Sequence, residues 1–179
     1  MEFSDYLNHF FVLDVHDKEI NEAKILIKSA IYTSDPIYIM GNGGSAYTAN
    51  HFSQDLVKIC DANSISLSEN IGLIMAVAND ISYDDVFRFQ LENKIFSGGE
   101  NGVVIAISCS GNSKNIIKAV EYCDYASDMP IISFTGNDGG MLAKLSDVNI
   151  NIPTENIFES ESYHSLICHF LVQMLSEEL

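Results

Sequence analysis

The chain has 179 residues, 47% of them hydrophobic, with ten Phe, eight Tyr and three Pro, which excludes an intrinsically disordered polypeptide and fits a single packed unit. Nine Lys plus Arg stand against 25 Asp plus Glu, a formal charge of -16. That balance excludes broad contact with nucleic acid or an anionic membrane surface.

In chain order, residues 1–35 read as an N-terminal helical segment. Apolar residues recur at helical spacing at Leu7, Phe10, Phe11, Leu13 and Val15, then at Ile20, Ala23, Ile25, Leu26 and Ile27, with a break near His16 and Asp17. The start, MEFSDYLNHFF, is acidic where a secretory signal is basic, and no apolar run approaches the roughly 20 residues of a membrane span, so a cytoplasmic protein is expected.

After Asp35-Pro36, residues 36–179 alternate short apolar runs with longer periodic ones. Strands are predicted at Ile37–Met40, Ile65–Leu67, Val103–Ser108, Ile131–Thr135 and Val148–Ile152. Helices are predicted at Ser45–Ile59, Ile71–Ile95, Ser113–Tyr125, Met141–Leu145 and Glu161–Leu175. Such alternation predicts an α/β fold, a parallel sheet with helices on both faces, and ligands beyond the carboxyl ends of its strands. Cys60, Cys109, Cys123 and Cys168 form no C-x-x-C pair and read as reduced thiols in the interior.

Two strand-to-helix corners share a chemistry. Gly41-Asn42-Gly43-Gly44-Ser45 follows the first strand, and Ser108-Cys109-Ser110-Gly111-Asn112-Ser113 ends the third. Glycines admit an anion close to backbone amides, a helix N-terminus adds unpaired N–H groups, and serines add donors, so a phosphate is held without lysine. Gly41-x-Gly43-x-x-Ala46 also fits a dinucleotide fingerprint, with Glu69 as the ribose-binding acid. The second serine-rich corner counts against that reading, since a nucleotide fold needs one phosphate loop.

Taken in order, "GNGGSAYTANHFSQDL", "AVAND", "SCSGNSKNIIKAV", "FTGNDGGMLA" and "ESYHSLICHFLVQM" resemble the successive motifs of the sugar isomerase (SIS) domain family, and within it the phosphoheptose isomerases. The resemblance runs from Ile37 to Leu175. It implies a three-layer αβα sandwich around a five-stranded parallel sheet, assembled as a homotetramer with active sites at subunit interfaces. It also implies that Ser108, Cys109, Ser110 and Ser113 bind a sugar phosphate, while Asn42, Gly43, Gly44, Ser45, Asn79, Asp80 and Glu161 contact the substrate.

His51 and Asp55 are four apart on one predicted helix and share a face, and Glu161 and His169 are eight apart on another. The resemblance makes these four the ligands of a divalent metal, zinc in the family. Two imidazoles and two carboxylates suit that ion. It further makes Asp55 and His169 the proton-transferring pair of an aldose-ketose isomerase that converts sedoheptulose 7-phosphate to D-glycero-D-manno-heptose 7-phosphate for surface polysaccharide synthesis. A non-catalytic regulatory phosphosugar binder on the same scaffold, or an isomerase of another phosphosugar, are the alternatives. The sequence departs from the family pattern at Cys109 for Thr, Asp55 for Glu and Glu161 for Gln, and Phe158 stands near where an Asp is frequent.

Overall fold

The computed structural model describes residues 17–98 and 101–179. The predicted helical stretch Leu7–Val15 lies outside the described residues. From Asp17 the chain forms α1 (Asp17–Thr33), β1 (Ile37–Gly41), α2 (Gly44–Cys60), β2 (Ser64–Ser66), α3 (Ile71–Asp80), α4 (Val86–Phe96), β3 (Val103–Ser108), α5 (Lys114–Ala126), β4 (Ile131–Gly136), β5 (Val148–Ile152) and α6 (Ile157–Glu178). The five strands form one sheet in the order β2-β1-β3-β4-β5, with every pairing parallel. This is the predicted α/β architecture.

Alternating side chains of the strands build two apolar layers. Ile37, Ile39, Ile105, Ile107, Ile132 and Phe134 point to one face, where they meet Ile27 of α1, Phe52 and Leu56 of α2, and Leu171 and Leu175 of α6. Tyr38, Met40, Val104, Ala106 and Ile131 point to the other, against Val77, Leu91, Ile116 and Val120 of α3, α4 and α5. Parallel strands covered on both sides need such near-continuous apolar runs, and each fully buried Ile, Leu or Phe contributes about 1.5–3 kcal/mol. Lys24 and Lys28 of α1 donate to Glu178 at 2.7 and 2.9 Å and tie α1 to the end of α6. Those bonds, Lys24 first, draw the Glu178 carboxyl well down, to about 2.

Two predicted helices are corrected. The expected single helix Ile71–Ile95 is α3 and α4 separated by a short 3-10 turn at Tyr83–Asp85. Ile81 and Ser82 both donate their N–H to the Val77 carbonyl, and the Ser82 hydroxyl accepts from Asp84 N–H, so a serine cap starts the chain afresh. The expected helix Met141–Leu145 is only a 3-10 turn at Leu142–Lys144. In contrast α6 starts four residues before the expected Glu161, because the Asn156 side chain accepts from Phe158 N–H and caps it. All four cysteines are free, three buried and Cys109 partly exposed. No described helix is long and apolar enough to cross a membrane.

The chain order of the strands positions the site. After β1 the chain moves to one side for β2, then returns past β1 to lay down β3, β4 and β5. Loops leaving the carboxyl ends of β1 and β3 therefore diverge and open a crevice, where open parallel sheets bind ligands.

Candidate active site

Both glycine-serine corners lie at that crevice. A cleft of about 150 Å³ is lined by Asn42 and Ser45 of the first, by Ser108, Cys109, Ser110 and Ser113 of the second, and by Ile157 and Glu161 of α6. Gly43, with φ of 53°, turns the chain into α2, a backbone conformation that glycine adopts without strain. Ser108 and Ser113 hold their hydroxyls 3.2 Å apart, so the corner presents paired donors beside the first turn of α5. The Ser110 hydroxyl accepts from Asn112 N–H, and the Asn112 side chain spans to Met141 N–H. The corner thus rests on the loop that follows β4, where Gly111 stands against the Gly139 carbonyl and leaves no room for a Cβ.

Behind the cleft, Cys109 meets His164, a residue fully enclosed between α6 and β4. His164 Nε2 lies 3.0 Å from the Thr135 carbonyl oxygen and must carry a proton to bond it. The other ring nitrogen is then an acceptor, and the Cys109 thiol approaches it at 4.0 Å. Burial drives the His164 pKa down from the usual 6.5 to about 4, the Thr135 bond opposing it. Burial also pushes the Cys109 thiol up, so it stays protonated at neutral pH. Between about pH 6.5 and 4 the unfolded chain therefore binds a proton that the folded chain refuses, and stability falls as pH falls. The loss through this residue is about 3 kcal/mol at 1.36 kcal/mol per pKa unit. In urea titrations at pH 7 and pH 4.5, His164→Gln should lose less stability on acidification than the wild type.

The third constellation lies along the paired helices. α2 and α6 run parallel: Gly44 at the start of α2 is packed directly against the Glu161 carboxylate, and further along, the His51 and His169 rings meet at 5.0 Å, nearly edge to face. His51 Nε2 lies 3.4 Å from Asp55 Oδ2, and the donor atoms of His51, Asp55 and His169 all fall within 4.8 Å of one another. Seven helical residues separate Gly44 from His51, so this group sits about 10 Å along the helices from the cleft.

Of the predicted ligands, His51, Asp55 and His169 are brought together, while Glu161 lies outside that group and faces the cleft. The same helix carries Glu161 and His169, but eight residues of rise separate their side chains by about 12 Å. Asn79 and Asp80 end α3, exposed and bonded to each other at 2.7 Å, and neither lines the cleft. Glu69, the acid of the dinucleotide reading, lines a different hollow with Ile65, Leu73 and Phe89. Asn115, Tyr83 and His164 support the site without having been singled out as binding residues.

The model of the SIS domain family matches residues 5–136. The chain belongs to the SIS domain family. Within that family, a phosphoheptose isomerase of Shewanella denitrificans is 37% identical over 171 residues, spanning 90% of this chain and 85% of that protein. The structure of phosphoheptose isomerase from Neisseria gonorrhoeae superposes with a TM-score of 0.82 at 30% identity, covering 90% of this chain and 86% of the other. That of a Francisella tularensis phosphoheptose isomerase gives 0.83 at 26% identity, over 99% and 100%. The SIS fold expected from the motifs is therefore the fold found.

Proposed function

We propose that the protein is an aldose-ketose isomerase interconverting sedoheptulose 7-phosphate and D-glycero-D-manno-heptose 7-phosphate. The observation that carries this reading is the meeting of two dipole-rich corners in one cleft, with an imidazole and a carboxylate together along the same helix pair. The Shewanella, Neisseria and Francisella proteins, each a phosphoheptose isomerase, support it.

Ser108, Ser110 and Ser113 hold the phosphate, helped by the N-terminal amides of α5. Ser45 and the start of α2 face the sugar, with one Asn42 N–H still available to it. Asp55 removes a proton from C1 of the ketose while His169 gives one to the carbonyl oxygen at C2, and the product of the two transfers is a 1,2-enediol. Return of the proton to C2 and loss of the hydroxyl proton on O1 give the aldose, so the step is redox-neutral overall. Asn79 and Asp80, which do not line the cleft, are assigned to the substrate only through the family pattern.

The donor set at His51, Asp55 and His169 fits a divalent ion, zinc by its mix of two nitrogens and an oxygen. Such an ion, when bound, polarises a substrate oxygen. Within one chain Glu161, about 12 Å of helix rise from His169, lies beyond this set. On the same two helices, Tyr47, Leu166 and Phe170 remain 80%, 60% and 46% exposed, apolar surface that suits burial against further copies of the chain in a homotetramer with interfacial sites. A phosphorylated substrate and four free thiols suit a cytoplasmic enzyme.

The test is to incubate the protein with sedoheptulose 7-phosphate in D2O and follow the sugar by NMR. Aldose should appear with deuterium at C2, and protein purified without chelator should carry close to one divalent ion per chain. No aldose and no exchange would reject the assignment.

A further inference from the structure

The paired backbone ladder between β1 and β3 ends at Gly41 opposite Ile107. Beyond that point the two corners leave the sheet, and no backbone hydrogen bond joins 42–45 to 108–113. A side-chain pair takes over. Asn42 Nδ2 donates to Asn115 Oδ1 at 2.9 Å, and Asn115 Nδ2 donates back to Asn42 Oδ1, also at 2.9 Å. The Tyr83 hydroxyl donates to the same Asn42 oxygen at 2.8 Å. Both lone pairs of that oxygen are thereby used, and one N–H of the Asn42 amide remains for a ligand.

Asn115 is 2% exposed and lies in the first turn of α5, two residues after Ser113. Its own Oδ1 also accepts from Ile116 N–H. Asn42 comes from the first corner, 73 residues earlier. A reciprocal amide pair fixes both distance and orientation, as a single hydrogen bond does not. Tyr83 attaches the pair to the 3-10 turn, which Asp85 in turn anchors to Arg88 and to Lys118 of α5 at 2.8 and 3.0 Å.

We infer that Asn115 is a positioning residue: through its paired amide with Asn42, braced by Tyr83, it sets the spacing between the sugar-facing corner and the phosphate-holding corner. Asn115 touches neither group of the ligand itself. This inference rests on the proposed function for the assignment of the two corners. A phosphosugar must engage both corners at once, whereas inorganic phosphate engages only the serine corner. Loss of the pair therefore weakens the first ligand and spares the second.

The experiment is calorimetry with sedoheptulose 7-phosphate and with inorganic phosphate on the wild type, Asn42→Ala, Asn115→Ala, the double variant and Tyr83→Phe. Asn115→Ala should weaken the phosphosugar about tenfold, in the range of one lost buried hydrogen bond, and change phosphate affinity by less than twofold. In the Asn42→Ala background the same substitution should add nothing, because its partner is already gone. Tyr83→Phe should give a smaller loss with the same split, and it carries the test if Asn115→Ala does not fold. Equal weakening of both ligands, no weakening of the phosphosugar, or an additive loss in the double variant would each overturn the inference. If the wild type binds both ligands yet fails to isomerise the sugar, the proposed reaction falls and the positioning role is still decided by these constants.

Discussion

His169→Ala is expected to lower kcat with sedoheptulose 7-phosphate by roughly 10²–10⁴-fold, the range for loss of a general acid or base. Its side chain is exposed on α6, in contact with His51 and away from the two cores, so the melting temperature should barely move. Asp55→Asn should have a similar effect, because an amide keeps the shape of the carboxylate and cannot take the proton. Measuring kcat and KM together separates this from a binding defect: the serine corner is untouched, and most of the loss belongs in kcat. Turnover by His169→Ala at the wild-type rate would remove the imidazole from the reaction and leave the cleft as a binding site.

Gly111→Ala should destabilise the protein by roughly 3 kcal/mol and lower its melting temperature by about 6–12 °C, given a chain of this size. Two causes combine. Gly111 has φ of 61°, a conformation that costs any L side chain about 1–2 kcal/mol. A Cβ there would also fall on the Gly139 carbonyl, whose backbone has no side-chain freedom with which to give way. Because Leu142 N–H donates to the Gly111 carbonyl at 2.9 Å, displacement of the corner disturbs the loop beneath it, and phosphate affinity should fall as well. Gly98→Ala is the control: φ is 91° there, yet no atom lies within 4 Å of the added methyl. Thermal melts of both variants would show strain alone against strain with collision, and equal losses would contradict this account of the corner.

The layers and the crevice were readable along the chain because each depends on local pattern. A run such as Val103–Ser108, fully buried, has to be a central strand, and a glycine-serine corner after it has to face the strand ends. Pattern failed where a long-range partner decides the outcome. From Ile71 to Ile95 neither Pro nor an internal Gly beyond Gly72 interrupts the chain. The helix nevertheless stops at Asp80, where Ser82 caps a new turn that Tyr83 ties to Asn42 and Asp85 to Lys118. Asn115 looked like an ordinary polar residue, since the amide that gives it meaning lies 73 positions away. Spacing on one helix grouped Glu161 with His169, as both face α2, but the rise between them sends the carboxylate to Gly44 and the imidazole to His51.

The parallel course of α2 and α6 has a consequence for which sugars can react. On the proposed assignment the start of α2 faces the sugar, and His51, Asp55 and His169 lie about 10 Å further along α2 and α6, so the two rods act as a ruler between the anchored end of a ligand and the groups that move its proton. The spine of a seven-carbon chain matches a longer division of that ruler than the spine of a pentose or hexose does. Shorter phosphosugars held at the same end should therefore turn over more slowly, which assays of a pentose phosphate and a hexose phosphate beside the heptose would check.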